Sequence, residues 1–283
     1  MLVKTYQNNF KHKENIKSIV SATGLLSIIP EDYKYYIGGG YAVALLFAPR
    51  TADDLNKLSM NYYSDIDLFF PNEITYERIN SVFDILRKTN LVSKQIETEN
   101  ATTYTLYTYS KDGHVTGSNS IQLVKKYIGT PQNILSTFDI LNARVLYDPK
   151  EDVWYADSKA FASFSNKKIS LTESTPLLNE DDGIFFQLER LSKYISRYDL
   201  ELSNETLYRL IKLNREKPDL SFQENRRVEA RGYYSRYSYN VSTTFNVWQA
   251  FKELFTKNKN WNKVKPLLLN IVTEDENYEE SLF

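Results

Sequence analysis

Hydrophobic and polar positions alternate with short, changing periods through the first half of the chain, and with a helical period through much of the second. Residues 9–29 place Ile16, Ile19, Val20 and Leu25 on one side of a predicted helix. Tyr35-Tyr36-Ile37 then predicts a short strand that stops at Gly38-Gly39-Gly40, and Ala42 to Phe47 predicts a helix opening directly after the glycines. Residues 50–63 are polar and loop-like. Ser64 to Phe70 alternates and then turns apolar, which suits a half-buried strand ended by Pro71. Glu73 to Thr89 is amphipathic, with Ile79, Val82, Phe83 and Leu86 in phase. Thr102 to Ser110 and Ser118 to Tyr127 are rich in β-formers around the turn signal Asp112-Gly113. Pro131 to Phe138 predicts a short helix with proline near its start, and Asn142 to Tyr147 another strand. This order predicts an α+β fold built on a mixed sheet with flanking helices.

From about Asp157 onward the pattern is mainly helical. Phe185 to Tyr198, Ser203 to Arg215 and Thr243 to Phe255 are the expected helices, with Ser203, Glu205 and Thr206 in a capping arrangement. The expected division is a core domain over 1–155 and a mainly helical domain over 156–283. The acidic end, Glu274-Asp275-Glu276 and Glu279-Glu280, is expected to fray.

Composition narrows the chemistry. The 283 residues are 42% hydrophobic, enough to bury a core, and the net charge of −1 provides no global basic field for nucleic acid. With no cysteine, disulfides, thiol nucleophiles and Cys-zinc sites are excluded. The only histidines, His12 and His114, lie in no catalytic motif, which leaves carboxylates, lysines and arginines to do any chemistry. No apolar run approaches the roughly 18 residues of a membrane span, and the first residues carry no secretory pattern. A cytoplasmic protein with no membrane partner is expected. The abundance of tyrosine (22) beside much Asn, Lys and Ile fits an AT-rich coding sequence, as in a bacteriophage or a low-GC bacterium.

Two segments carry chemistry together. Residues two apart on a strand share a face, so Asp65 and Asp67 present two carboxylates on one side, with Ile66 and Leu68 on the other. Paired hard oxygen ligands suit Mg²⁺, with waters and substrate phosphates completing its shell. A turn cap beside an exposed aspartate has the same local pattern. The triple glycine between strand and helix lets backbone N–H groups and the helix N-terminus face a phosphate.

Ile37-Gly38-Gly39-Gly40-Tyr41-Ala42 followed by Ser64-Asp65-Ile66-Asp67-Leu68 resembles the signature of the polymerase-β nucleotidyltransferase superfamily, most closely its bacteriophage-type members. The resemblance implies a polymerase-β-like sheet. It also implies transfer of a nucleoside monophosphate from an NTP, ATP among the candidates, to an acceptor hydroxyl such as RNA or tRNA. Asp65 and Asp67 would be catalytic and hold two Mg²⁺ ions, with Mn²⁺ as a substitute; Gly38, Gly39, Gly40 and Ser64 would bind nucleotide. Many members carry Ser or Thr where Gly40 stands, and the spacing from Gly40 to Asp65 implies an inserted loop. A fold that kept binding and lost turnover, or a toxin-type transferase acting on tRNA or protein, would share these residues.

The family also implies a third carboxylate. The strand Ser120 to Val124 resembles the one that carries it, but Gln122 is no carboxylate. Phe138-Asp139-Ile140-Leu141-Asn142-Ala143 resembles a motif of the phage-type members, and also one of tRNA nucleotidyltransferases in which the aspartate contacts nucleotide rather than metal, which makes Asp139 the competing catalytic candidate with its role open, expected at the start of a strand. Leu188 to Arg197 resembles a basic helix of phage-type members; Arg190, Lys193 and Arg197 share one face there, and Arg190 and Lys193 are expected to bind triphosphate. Arg226, Arg227, Arg231 and Tyr234 belong to an interleaved Arg/Tyr segment that suits a single-stranded acceptor.

Overall fold

The computed structural model describes residues 3–7, 16, 20–21, 24–47, 65–89, 91–109, 112–172, 181–216, 221–231 and 236–246. The chain divides into two compact units, Met1–Phe164 and Ser165–Phe283.

The first unit runs β1 (Val3–Gln7), α1 (Leu25–Ile28), β2 (Tyr36–Gly38), α2 (Gly39–Phe47), β3 (Asp65–Phe69) and α3 (Glu73–Lys88). It continues through β4 (Val92–Glu97), β5 (Ala101–Tyr109), β6 (Val115–Val124), α4 (Pro131–Ser136), a 3₁₀ turn (Leu141–Ala143), β7 (Val145–Asp148), β8 (Val153–Asp157) and α5 (Ser158–Ser165). The eight strands form one mixed sheet in the order β1-β8-β7-β2-β3-β6-β5-β4. β3 and β6 run parallel, and the other neighbouring pairs run antiparallel.

Local sequence explains these elements. Asn72 caps α3, its Oδ1 accepting the Thr75 N–H at 2.9 Å, and Arg87 and Lys88 complement the far end of the helix dipole. Pro131 sits in the first turn of α4, behind the capping side chain of Thr130.

The sheet has two unlike faces. Ile66, Ile121 and Tyr104 are neighbours across β3, β6 and β5, all buried, and Phe83 of α3 packs on Tyr104 with ring centroids 5.0 Å apart. On the opposite face Asp65 is exposed, while Asp67, Ser120, Gln122, Thr103 and Thr105 are half-buried. Further along that face Tyr36, Phe69, Val124 and Leu146 close against Ile134 and Leu135 of α4. One face therefore carries core, and the other passes from core into an open polar floor.

The second unit contains β9 (Lys168–Ile169), α6 (Asp181–Tyr198), β10 (Glu201–Leu202), α7 (Asn204–Glu216), β11 (Ser221–Arg231) and β12 (Arg236–Asn246). β11 and β12 form an antiparallel pair, in register from Ser221↔Asn246 to Arg231↔Arg236. This corrects the start of the helix expected over 243–255: residues 243–246 belong to β12, and the remainder of that expectation, 247–255, lies outside the described residues. The reason is visible in Tyr237, Tyr239, Val241, Thr243 and Phe245, aromatic or β-branched residues repeating every second position. The acidic end and the 50–63 loop also lie outside the described residues.

Buried phenols make an alkaline prediction. Burial pushes up the Tyr35, Tyr41, Tyr104 and Tyr147 hydroxyls, and Tyr147 also donates to Asp152 at 2.8 Å. Burial pulls the Lys34 ammonium down, but buried Asp148, 3.2 Å away, leaves it above its ordinary value. Groups raised in the folded state contribute stability below their unfolded pKa, about 10 for tyrosine, and lose it as pH rises through the folded value. Denaturant titrations at pH 8 to 11 should therefore show stability falling from about pH 10 upward, less steeply in Tyr147→Phe. An unchanged midpoint across that range would contradict this assignment.

Candidate nucleotide and metal site

Strand pairing assembles the open face into two rows. Gly38 of β2 pairs with Asp67 of β3, Asp67 with Gln122 of β6, and Gln122 with Thr103 of β5. Asp65 pairs with Ser120, and Ser120 with Thr105. Neighbouring strands lie about 4.8 Å apart, so each row is a line of side chains within reach of a single small ligand. The alternation of exposed Asp65, buried Ile66, half-buried Asp67 and buried Leu68 puts both carboxylates on this face.

The glycine turn is built around Asp67. Gly39 has a φ of +61°, the left-handed region that side chains disfavour, and it opens α2. A Cβ on Gly39 would collide with the Asp67 carboxylate, so that carboxylate rests against the bare backbone at the helix start. A Cβ on Gly38 would come to 2.5 Å from the Phe69 ring and 2.9 Å from Leu146. Two glycines are thus required by close approach, one to the carboxylate and one to the core. Gly40 is already within the helix.

Asp65 and Asp67 are the residues that could hold a hard divalent cation, with the neutral oxygens of Ser120 and Gln122 on the neighbouring strand and Thr103 and Thr105 one strand further out. Gln122 stands on the neighbouring strand directly beside Asp67, and its amide donates to Thr103 Oγ1 at 3.4 Å. Among the described residues, no group of three or more His, Cys, Asp or Glu side chains could hold a metal. Ser120, Thr103 and Thr105 do not stand out in the sequence, because only the strand register brings them to Asp65 and Asp67.

Asp139 does not begin a strand. It lies in a bend, followed by Ile140, the 3₁₀ turn and only then β7 from Val145. The correction has a physical cause in Arg144. Its guanidinium donates to the carbonyls of Ser136 at 3.3 Å and Phe138 at 3.2 Å, drawing the backbone into a compact turn. Phe138 packs on Phe69, centroids 5.4 Å apart, so this segment lies over the sheet face that carries Asp67 two residues earlier.

Arg190 and Lys193 stand on α6 in the second unit, exposed, with Leu188, Leu191 and Ile195 buried on the same helix; Arg197 is half-buried. Arg226, Arg227 and Arg231 stand on β11. Ser64 and Tyr234 lie outside the described residues.

Residues 5–167, which take in the sheet from the middle of β1 onward and its site, match a family model described as Gad2, Gabija anti-defense 2 family protein. The chain belongs to the Gad2 family. Among curated proteins none matches the sequence. Solved structures similar to this Gad2 family member include a tRNA-processing enzyme in an apo form. It shares 11% identity at a TM-score of 0.45, over 75% of this chain and 49% of that one. The structure of a tRNA-processing enzyme with CTP is 12% identical with a TM-score of 0.42, over 72% of this chain and 48% of that one. The chain spans about half the length of these two enzymes. No described helix is long and apolar enough to cross a membrane.

Proposed function

We propose that this Gad2 family member binds a nucleoside triphosphate with a divalent cation on the open sheet face and transfers its nucleotidyl group to an acceptor hydroxyl. The observation that carries this reading is the packing of the Asp67 carboxylate against Gly39 at the start of α2. It puts a cation ligand beside a helix N-terminus whose N–H groups suit phosphate. Asp65 and Asp67 would hold magnesium, which when bound supplies charge neutralisation for the phosphates and polarises the one under attack. The Gly38-Gly39 turn positions the triphosphate, and the polar floor orients what lies beside it. In the reaction an acceptor oxygen bonds to the α-phosphorus, the bond to the bridging oxygen breaks, pyrophosphate leaves and the hydroxyl proton is released. The family's description points to a counter-defence setting, and RNA, tRNA or a protein hydroxyl is the acceptor class this chemistry serves. A location in the cytoplasm, that of an infected host for a phage-borne chain, fits such acceptors.

The neutral Gln122 beside Asp67 favours a second reading, a chain that binds the nucleotide without turning it over. One experiment separates them. The full chain is incubated with each of four α-labelled NTPs, Mg²⁺, total RNA and total protein, and pyrophosphate and labelled macromolecules are measured. Transfer should appear with one or more NTPs. It should fall by about 10²-fold or more in Asp65→Asn and in Asp67→Asn. Nucleotide binding without pyrophosphate release would select the second reading. Turnover that survives both substitutions would refute the site.

A further inference from the structure

We infer that the ribbon of β11 and β12 is a separate binding site, whose polar face takes the major groove of duplex DNA. The two strands pair without a slip from Ser221↔Asn246 to Arg231↔Arg236. Alternate residues of a strand share a face, so the odd-numbered residues of β11 stand with the even-numbered residues of β12. That face is polar at every position. It carries Arg227, Arg231, Arg236, Asn225, Asn240 and Gln223, and otherwise serine, threonine, one further asparagine and one acid, Glu229. The opposite face holds Phe222, Val228, Tyr237, Tyr239 and Phe245. Arg226 is on it as well, so the chain neighbours Arg226 and Arg227 belong to opposite faces. A slip of one residue would instead mix the tyrosines with Arg227 and Arg231. A two-stranded ribbon needs support to be stable, and the aromatic face is the one that gains from it; α6 is a helix that approaches β11. An all-polar face suits water or a polar partner, because burial against apolar groups would strand its amides and guanidiniums.

Charge, residue type and size identify the partner. Arg231 and Arg236 are directly opposite each other, where like charges destabilise a strand pair. A phosphate or a base edge between them turns that repulsion into charge-assisted hydrogen bonds. Glu229, two residues from Arg231 on the same face, offsets one of the three arginines and leaves an excess of positive charge. Arginine pairs with the guanine edge, and asparagine and glutamine with the adenine edge, so this face is rich in the residue types that read bases. Each strand has eleven residues, about 36 Å at roughly 3.3 Å per residue, close to one turn of B-DNA. The B-form major groove admits a two-stranded ribbon, whereas that of A-form RNA is too deep and narrow to be read. Single strands are held by bases stacked on aromatic rings beside cations. Here the register assigns Tyr237 and Tyr239 to the face away from Arg227, Arg231 and Arg236. Duplex DNA is therefore the nucleic acid that this face fits.

The test is fluorescence anisotropy on the full chain, with a labelled random-sequence DNA duplex of roughly two helical turns, the RNA duplex of the same sequence and each DNA strand alone. EDTA replaces divalent cations and no nucleotide is added, so the outcome is independent of the site at Asp65 and Asp67. The DNA duplex should bind at least tenfold tighter than the RNA duplex or either single strand. Arg227→Gln should weaken it about tenfold, and Arg226→Gln less than twofold. The combined Arg227→Gln, Arg231→Gln and Arg236→Gln variant should also flatten the salt dependence, by about one unit of log–log slope for each arginine that meets a phosphate. Glu229→Gln should tighten binding severalfold, a gain that a misfolded ribbon could not produce. A wild type that does not bind the duplex at about 50 mM salt overturns the inference. So does equal binding of the single strands or the RNA duplex, equal loss in Arg226→Gln and Arg227→Gln, or a Glu229→Gln variant that binds no tighter than the wild type.

Discussion

Gly39→Ala should weaken binding of the cation–nucleotide pair tenfold or more while the protein still folds. Two independent costs meet at this residue. At φ +61° an alanine is disfavoured by about 1–2 kcal/mol against glycine. Its Cβ would also collide with the Asp67 carboxylate, so either the turn or the carboxylate must shift. The turn is tied on one side to β2, whose Gly38 is packed on Phe69 and Leu146, and on the other to α2, buried from Tyr41 to Leu46. The carboxylate is the more movable partner, and once displaced it no longer faces the helix start. The expected result is a loss of Mn²⁺–nucleotide affinity of tenfold or more with about 1–2 kcal/mol of lost stability in urea. Gly40→Ala is the control, since Gly40 is already in α2 and lacks the positive φ of Gly39, so alanine can adopt its backbone. Wild-type affinity in Gly39→Ala would show that Asp67 has no part in binding.

Much of this site is legible in the sequence because it depends on short-range geometry. A strand, a glycine turn and a helix in direct succession at 35–47 need no distant partner to be recognised. The shared face of Asp65 and Asp67 follows from strand periodicity alone. What could not be read is whatever depends on register between distant strands. Asp67 meets Gln122 across 55 positions of chain, and Thr103 and Thr105 join only because β5 pairs with β6 in one particular register. The edge of the sheet is hidden for the same reason: Val3–Gln7 is short and mixed in polarity, and it becomes a strand by pairing with Val153–Asp157. Segment 237–245 is a different case. Its two-residue alternation is plain, but its tyrosines and the arginines just before it, Arg231 and Arg236, draw attention to ligand chemistry instead of to β11 and β12. Asp139 resembles the start of a strand until Arg144 is considered, and an arginine's preference for backbone carbonyls has no periodic signature.

Arg144→Met should be the most destabilising single substitution considered for this chain, by about 3–5 kcal/mol. The guanidinium is 6% exposed and its partner Asp157 2% exposed, with Nη1 3.3 Å from Asp157 Oδ2. Removing it leaves a buried carboxylate whose other oxygen, Oδ1, keeps the Lys159 N–H at 3.0 Å, an amide that cannot replace a full charge. It also takes the guanidinium donors from two carbonyls, those of Ser136 and Phe138. These carbonyls end α4 and begin the bend with Asp139, so the damage should be local as well as global. Hydrogen exchange at 137–141 should accelerate before the sheet opens. Adding Asp157→Asn to Arg144→Met removes the stranded charge, and the double variant should recover part of the loss. Its urea midpoint should therefore lie above the value expected from adding the two single effects. Strict additivity would mean that Arg144 and Asp157 are not coupled, and an Arg144→Met midpoint equal to that of the wild type would mean that the guanidinium does not hold the Asp139 turn against the sheet.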